Sequence, residues 1–321
     1  MYGCAAVKDP RVTFKQNEEY LKMMEKYFAK RGNQFYKTGK VDDCYPQFGY
    51  ETGITPEFVE IARPHKELIA SFTAENKPAS PLDPIADAKW RYMYPFHKES
   101  QPKKKQNTNF NQLDPDHTNP ADFPEFSDVM FKWGKNLFEC VLSVSQMCAL
   151  GFGLPADTFS TKLLTGHNIV APTGSDLLKH KPGTIFAGFH YDFNFMTIHG
   201  KSNFPGLYIW LRTGERIPVS IPDGYLLLQS GRQFEIVTGG HVMKGMHEVY
   251  YDERTKAKVD ELRQKGAQDI WRVSSTMFTH YGSEYMLEPV GKFRTPEALQ
   301  KYPPILAYDL KEEELKAINL F

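Results

Sequence analysis

Apolar residues recur at helical spacing early in the chain, where Glu18-Glu19 leads into Tyr20, Leu21, Met24, Tyr27 and Phe28 with basic residues at the far end. Spacings of three and four put these side chains on one face, so the stretch predicts an amphipathic helix whose charges suit its dipole. A second helical signal opens with Thr55-Pro56 as cap and first residue and runs through Phe58, Ile61, Leu68 and Ile69, with Pro64 expected to kink or break it. A third starts at Ser127 or Asp128, carries Val129, Met130, Trp133, Leu137, Val141, Leu142 and Met147, and stops at Gly151. From Leu163 the period shortens. Apolar runs at Ile185 to Ile198, Gly206 to Leu211, Ile217 to Ile221, Tyr225 to Leu228, Phe234 to Thr238, His247 to Tyr251 and Trp271 to Phe278 are punctuated by Gly, Pro and Asp. Many short strands at such spacing predict a sandwich or barrel. The charged segment Asp252 to Asp269 reads as a helical insertion on that scaffold, and Lys311 to Leu320 as a short closing helix.

Between the second and third helical signals, Ala79 to Pro124 is rich in Pro, Asn, Asp and Lys, yet Trp90, Tyr92, Tyr94, Phe96 and Phe110 are spread through it. That mixture predicts a long surface loop that packs through its rings and covers a site.

Composition narrows the partners. The 321 residues hold 39 Lys plus Arg against 39 Asp plus Glu, so the overall field favours neither nucleic acid nor an anionic membrane. Cys4, Cys44, Cys140 and Cys148 show no CxxC spacing, and the last two fall in the third helix, as in a reduced cytoplasmic protein. The opening MYGCAAVKDP is unlike a secretory signal, and Leu137 to Leu154 contains Glu139, Ser143, Ser145 and Gln146, too many polar groups for a bilayer span. The expectation is a monomer that acts on a small molecule, with no nucleic-acid or membrane partner.

The candidate chemistry lies in the strand-rich half. In a strand, residues i and i+2 project to one side, so His190 and Asp192 of His190-Tyr191-Asp192 can grip one ion. Two competing triplets, His65-Lys66-Glu67 and His97-Lys98-Glu99, fall in a predicted helix, where i and i+2 diverge, and in a Pro- and Lys-rich loop. A third ligand on a later strand is His247; His241 follows Gly239-Gly240 at a turn, and His280 is a fallback. Glu248 points to the opposite face as a surface or pairing residue. Two histidines and a carboxylate cap one face of Fe(II) and leave the other open. Arg272 and Ser274 share a strand face suited to bidentate capture of a carboxylate, with a structural salt bridge as the bland alternative. No HExxH motif points to zinc hydrolysis.

In this order the residues resemble a family. From about Asn168 to Phe278 the chain resembles the isopenicillin N synthase-like family of 2-oxoglutarate- and Fe(II)-dependent oxygenases, matching its H-x-D, H and R-x-S-x-x-x-F sequence with His190, Asp192, His247, Arg272, Ser274 and Phe278. Gly231 to Gly240 is similar to the family's glycine-led segment, and the helix from Asp128 to Leu150 with its Gly151-Phe152-Gly153-Leu154-Pro155 exit to its amino-terminal region. The resemblance implies a mainly β fold with flanking helices: a helical region over 1–160, a double-stranded β-helix (jelly-roll) core over 161–292 and a helical tail over 293–321, in one integrated domain.

It further implies His190, Asp192 and His247 as iron ligands, Arg272 with Ser274 as the clamp on the distal carboxylate of 2-oxoglutarate, and Phe278 as a pocket wall. Fe(II), 2-oxoglutarate and O2 would be the cofactor and cosubstrates. Two departures stand out. Asn168-Ile169-Val170-Ala171-Pro172 has Ala171 where many relatives have a tyrosine that touches the cosubstrate, and the Asp252 to Asp269 insertion lengthens the gap from His247 to Arg272. The family's chemistry converts 2-oxoglutarate to succinate and carbon dioxide while an unactivated C–H bond is oxidised, with hydroxylation, desaturation or ring closure as outcomes. Trp90, Arg91, Tyr92 and Tyr94 are candidate substrate contacts from the covering loop. Lys103 to Lys105 would attract an acidic amino-acid derivative, as in the ring-forming kainoid synthases. Two other readings are an iron oxidase of the isopenicillin N synthase type that needs no 2-oxoglutarate, and a non-catalytic β scaffold whose histidines are merely interior.

Overall fold

The computed structural model describes residues 3–43, 53–96 and 120–318. Two antiparallel sheets face each other. The larger is built from β1 (Cys4–Lys8), β2 (Gly53–Thr55), β3 (Trp90–Pro95), β4 (Ile169–Val170), β5 (Thr173–Asp176), β7 (Met196–His199), β10 (Tyr225–Ser230), β12 (Trp271–Val273) and β13 (Thr276–Thr279). Its order is β1-β10-β7-β13-β4-β3-β5-β12, with β2 added against β3. The smaller has β6 (Ile185–Tyr191), β8 (Leu207–Trp210), β9 (Arg216–Pro218) and β11 (Met246–Tyr250) in the order β6-β11-β8-β9. This is a jelly roll, as the strand pattern and the resemblance implied. A short ladder of β14 (Met286–Leu287) and β15 (Ile305–Leu306) closes the carboxy-terminal side.

Two long helices back the larger sheet. Helix α1 (Phe14–Thr38) starts earlier than Glu18 because Thr13 forms a capping box with Gln16, satisfying two end N–H groups reciprocally. It buries Tyr20, Met24, Tyr27 and Phe28. On its buried edge, Arg31 pairs with Asp43 and makes a two-pronged contact to Asp122 at 2.9 and 2.6 Å. Helix α3 (Phe126–Gly151) begins after Glu125, with no side-chain cap from Ser127 or Asp128, and runs through Gly151; the left-handed turn follows at Gly153. Gly134 lets α3 approach the sheet, since a Cβ there would lie 2.6 Å from Val170 Cγ2. The apolar residues of α1, α3 and the sheet form one continuous core.

Three readings of the sequence need correction. Thr55 ends β2 instead of capping a helix, and of the stretch from Thr55 to Ile69 only the part after Pro64, in α2 (Lys66–Ala70), is helical. Within Ala79 to Pro124, Trp90–Pro95 is not loop but strand β3, inside the larger sheet, so the expected helical region also supplies strands to the core. Its alternation decides its contacts. Trp90, Tyr92 and Tyr94 are buried against α1 and α3, whereas Lys89, Arg91 and Met93 line a cavity. Third, Phe234 to Val237 lies in helix α5 (Arg232–Val237), with Thr238 just past its end, and is not a strand; a short buried helix and a buried strand carry the same apolar run.

The Asp252 insertion is α6 (Glu253–Gln264), capped by Asp252 accepting from the Thr255 N–H at 2.8 Å. The chain also folds α4 (Asp157–Leu163), α7 (Pro296–Lys301) and the closing helix α8 (Ala307–Ala317). Cys4, Cys140 and Cys148 are free thiols; Cys44, Lys103 to Lys105, Phe110 and the His97 triplet lie outside the described residues. Among the described residues no helix is long and apolar enough to cross a membrane.

Candidate metal centre and its two cavities

His190 and His247 are direct cross-strand partners in the β6–β11 ladder, so both imidazoles leave the smaller sheet on one side, with ring centroids 4.2 Å apart. Asp192 follows the end of β6 and turns its carboxylate between them. His190 Nε2 lies 3.7 Å from Asp192 Oδ1 and His247 Nε2 3.9 Å from Asp192 Oδ2. One ligand atom from each residue falls within 4.8 Å of the others, and no other such cluster occurs among the described residues. An ion about 2.1 Å from each donor sets donors at right angles roughly 3 Å apart; the two histidine-to-Asp192 gaps exceed that by under an ångström. The donor set of two imidazoles and a carboxylate suits a first-row dication.

Surrounding groups orient these donors. His190 Nδ1 lies 2.5 Å from the Gly188 carbonyl, and donating there leaves Nε2 free to ligate. Thr197 Oγ1 donates to Asp192 Oδ2 at 2.5 Å and is itself held by Asn194. Burial, reinforced by His190, lowers the His247 pKa to about 4, leaving the neutral imidazole a metal requires.

The alternatives separate cleanly. His65 precedes α2 without a side-chain capping bond, its ring 5.4 Å from that of Tyr191, while Glu67 is exposed, so the pair does not converge. His241 sits at a turn and packs on Phe152 and Phe293. His280 packs against Phe193 in a cavity wall. Glu248 does point to the opposite face, but it is fully buried rather than at the surface. It accepts from Ala79 N–H, Ser80 N–H and Ser80 Oγ at 2.8, 3.0 and 2.7 Å, and pairs with Arg216 at 3.3 Å.

Two cavities meet at the metal ligands. One, of about 310 Å³, extends from His190, Asp192 and His247 to Arg272 and Ser274. The other, of about 150 Å³, runs from His190 and Asp192 along Arg91 and Met93 to Leu315 of α8. His190, Asp192, Lys89, Thr173 and Phe278 face both.

In the larger cavity, Arg272 is buried and donates Nε to the Pro205 carbonyl at 2.9 Å; among the described residues no carboxylate pairs with it. Burial pushes its pKa down to about 10, so it is still a cation near neutral pH. A buried cation in no ion pair among the described residues, with only the longer-range field of Asp252 in its favour, is a place for an anion where it faces a cavity. Beside it, Ser274 Oγ accepts from Thr173 N–H at 3.0 Å and is within 2.9 and 3.2 Å of the Thr173 and Thr276 hydroxyls. An oxygen with two lone pairs cannot accept all three, so Ser274 donates to one of the two hydroxyls and one hydroxyl hydrogen of the group is left for a ligand.

In the wall between the cavities, Lys89 Nζ meets Asp87 at 2.9 Å and Glu60 at 3.2 Å, and Glu60 takes Arg91 Nη1 at 3.1 Å. Asp87 Oδ1 accepts from Gly188 N–H at 2.9 Å, tying the network to the strand that carries His190. Burial raises the Asp87 carboxyl; at Glu60, Lys89 and Arg91 overcome burial and hold it low. Helix α8 is latched over the smaller cavity. Its buried Glu314 meets Tyr191 Oη at 3.1 Å, Arg232 at 2.5 Å and Arg63 at 3.6 Å.

Of the sequence candidates, the structure brings His190, Asp192, His247, Arg272, Ser274 and Phe278 to the two cavities and Arg91 to the smaller. Trp90, Tyr92 and Tyr94 face away and pack in the core, a correction to their reading as substrate contacts. Thr173, Thr276 and Lys89 were missed. The alternation Lys89, Arg91, Met93 against Trp90, Tyr92, Tyr94 was the signal that could have found Lys89.

The jelly roll is shared with solved structures that superpose along nearly the whole chain. A Caulobacter crescentus protein described as of the 2OG-Fe(II) oxygenase family gives a TM-score of 0.71 at 20% identity, covering 98% of this chain and 90% of its own. A full-length Neurospora crassa protein, solved in complex with alpha-KG and thymine, gives 0.70 at 18% identity, covering 99% and 88%. JOX2, solved with 2OG, Fe and JA, gives 0.66 at 14% identity, covering 100% and 79%. No protein-family model and no curated protein matches the sequence.

Proposed function

We propose that this chain is a 2-oxoglutarate- and Fe(II)-dependent oxygenase of the isopenicillin N synthase-like type that oxidises an unactivated C–H bond of a small molecule. The observation that carries this reading is one cavity with the His190, Asp192 and His247 donors at one place on its wall and the uncompensated Arg272 cation at another. Iron in that triad, with 2-oxoglutarate and oxygen, supplies an oxidant as the cosubstrate is converted to succinate and carbon dioxide.

The protein's part is binding and orientation. Arg272 and the Ser274 hydroxyl, with Thr173 and Thr276 beside it, take the distal carboxylate, and this orients the 2-oxo end toward the triad. Ala171 withdraws the tyrosine contact common in relatives, and the neighbouring Thr173 hydroxyl supplies a donor instead. The smaller cavity takes the substrate, with Phe278 on its boundary. Whether hydroxylation, desaturation or ring closure follows depends on how that cavity holds the reacting carbon. The small molecules in two of the superposed structures, thymine and JA, support a small-molecule substrate.

The test is spectroscopic. Anaerobic Fe(II) plus 2-oxoglutarate should give a visible charge-transfer band in the wild type and none in His247→Ala. No band in the wild type refutes 2-oxoglutarate chelation, and oxygen uptake that ignores 2-oxoglutarate would instead favour the isopenicillin N synthase type of oxidase. Absence of any thermal stabilisation by Fe(II) or Mn(II) would favour a non-catalytic scaffold.

A further inference from the structure

Lys89 is a buried cation in the wall shared by the two cavities. An ammonium group has three N–H donors. Asp87 and Glu60 take two, at 2.9 and 3.2 Å, and the third has no acceptor among the described residues. Among the described groups paired in this wall the charges balance, with Lys89 and Arg91 against Asp87 and Glu60.

That balance determines what the third donor can take. A carboxylate placed against Lys89 would make three anions against two cations among these groups, in a buried wall where each added charge carries a desolvation cost. An uncharged oxygen accepts the hydrogen bond and leaves the balance intact. Met93, Ile169, Phe193 and Phe278 line the same cavity and give it apolar wall beside the polar Asn194, His167 and His280.

Resting on the reading of the smaller cavity as the substrate site, we propose that Lys89 is its specificity-determining residue, and that it fixes an uncharged carbonyl oxygen of a compact, otherwise apolar substrate beside the metal ligands. The substrate class is therefore neutral carbonyl compounds such as cyclic imides, lactams or ketones, rather than the acidic amino-acid derivatives that the lysine run hinted at. Asp87 and Glu60 act through Lys89 as positioning residues.

The test is a fragment titration by ligand-observed NMR on the full chain loaded with Zn(II), a diamagnetic stand-in for iron, with and without 2-oxoglutarate. The panel pairs neutral carbonyl fragments, thymine among them, with size-matched carboxylates, jasmonate among them. The proteins are the wild type, Lys89→Met, and Lys89→Met with Asp87→Asn, which removes one charge of each sign and keeps the Gly188 contact should the single variant misfold. Neutral carbonyl fragments should bind the wild type and lose about tenfold or more in affinity in the variants, as expected for a hydrogen bond from a charged donor. The affinity for 2-oxoglutarate should change less than about twofold, well under the tenfold that a lost charged hydrogen bond costs.

The proposal is overturned if no neutral carbonyl fragment binds, if only carboxylates bind, or if neutral fragments bind wild type and variants alike. A parallel loss of 2-oxoglutarate affinity would also overturn it, by assigning Lys89 to the cosubstrate. Failure of the parent reading shows separately, as a wild type without the Fe(II)–2-oxoglutarate band.

Discussion

Replacing Arg272 by methionine should move stability and cosubstrate affinity in opposite directions. Without ligand, the guanidinium is buried with a single hydrogen bond, to the Pro205 carbonyl, and its pKa falls from 12.5 to about 10 because burial disfavours the charge. A drop of that size corresponds to ~3 kcal/mol against the charged form in the fold. Losing the Nε bond returns about 1 kcal/mol, and methionine retains much of the apolar stem. The ligand-free variant should therefore be more stable than the wild type by roughly 1–2 kcal/mol, a rise of a few degrees in Tm. With Zn(II) and 2-oxoglutarate the order should reverse, since truncating one partner of a buried charge pair costs about 2–5 kcal/mol, or at least about thirtyfold in affinity. Calorimetry of both proteins, each without ligand and with metal plus 2-oxoglutarate, reads both effects. A variant destabilised by more than about 1 kcal/mol without ligand, and still stabilised normally by 2-oxoglutarate, would refute the reasoning and make Arg272 structural.

Glu248→Ala should cost about 3–5 kcal/mol in urea unfolding, because it strands the buried Arg216 charge and three donors from Ala79 and Ser80; an unchanged midpoint would contradict the assigned network. The acid limb of stability should depend on Asp122, whose carboxyl is held below its ordinary value mainly by hydrogen bonds from Arg31. A depressed folded pKa gives stability that is present above the unfolded value and lost as pH falls toward the folded one, here from about pH 4 downward. Asp122→Asn should lower the urea midpoint near pH 7, where this contribution is fully present, and flatten the profile below about pH 4, where the two proteins converge; an unaltered slope there would remove the pair from the account.

What could be read in the sequence followed the distance over which each signal acts. Helices α1 and α3 were legible because their apolar spacing repeats over many turns, whereas Phe234 to Thr238 is too short for its period to separate helix from strand. The metal ligands were found through their order, since neither His190 nor His247 announces the cross-strand pairing that joins them. Strand β3 was hidden because Pro, Lys and Asn around it read as loop, although its own six residues are strand-like and central to a sheet. The Lys89, Asp87 and Glu60 network was illegible for a different reason. Asp87 and Lys89 are near neighbours in sequence, but Glu60 comes from another segment, and only the folded sheet brings the three together.

The pairing of Cys4 with Gln229 at the end of the larger sheet has a consequence in time. Strand β1 emerges from the ribosome well over two hundred residues before β10, an interval of roughly 10–45 seconds at usual synthesis rates. Throughout that interval its hydrogen-bonding edge has no native mate. Helix α1, which follows it and carries its own capping box, relies on local contacts and can form at once. The sheet's outer seam is therefore closed by a segment synthesised first and paired late, and a nascent chain stalled before Tyr225 would expose that edge to other chains.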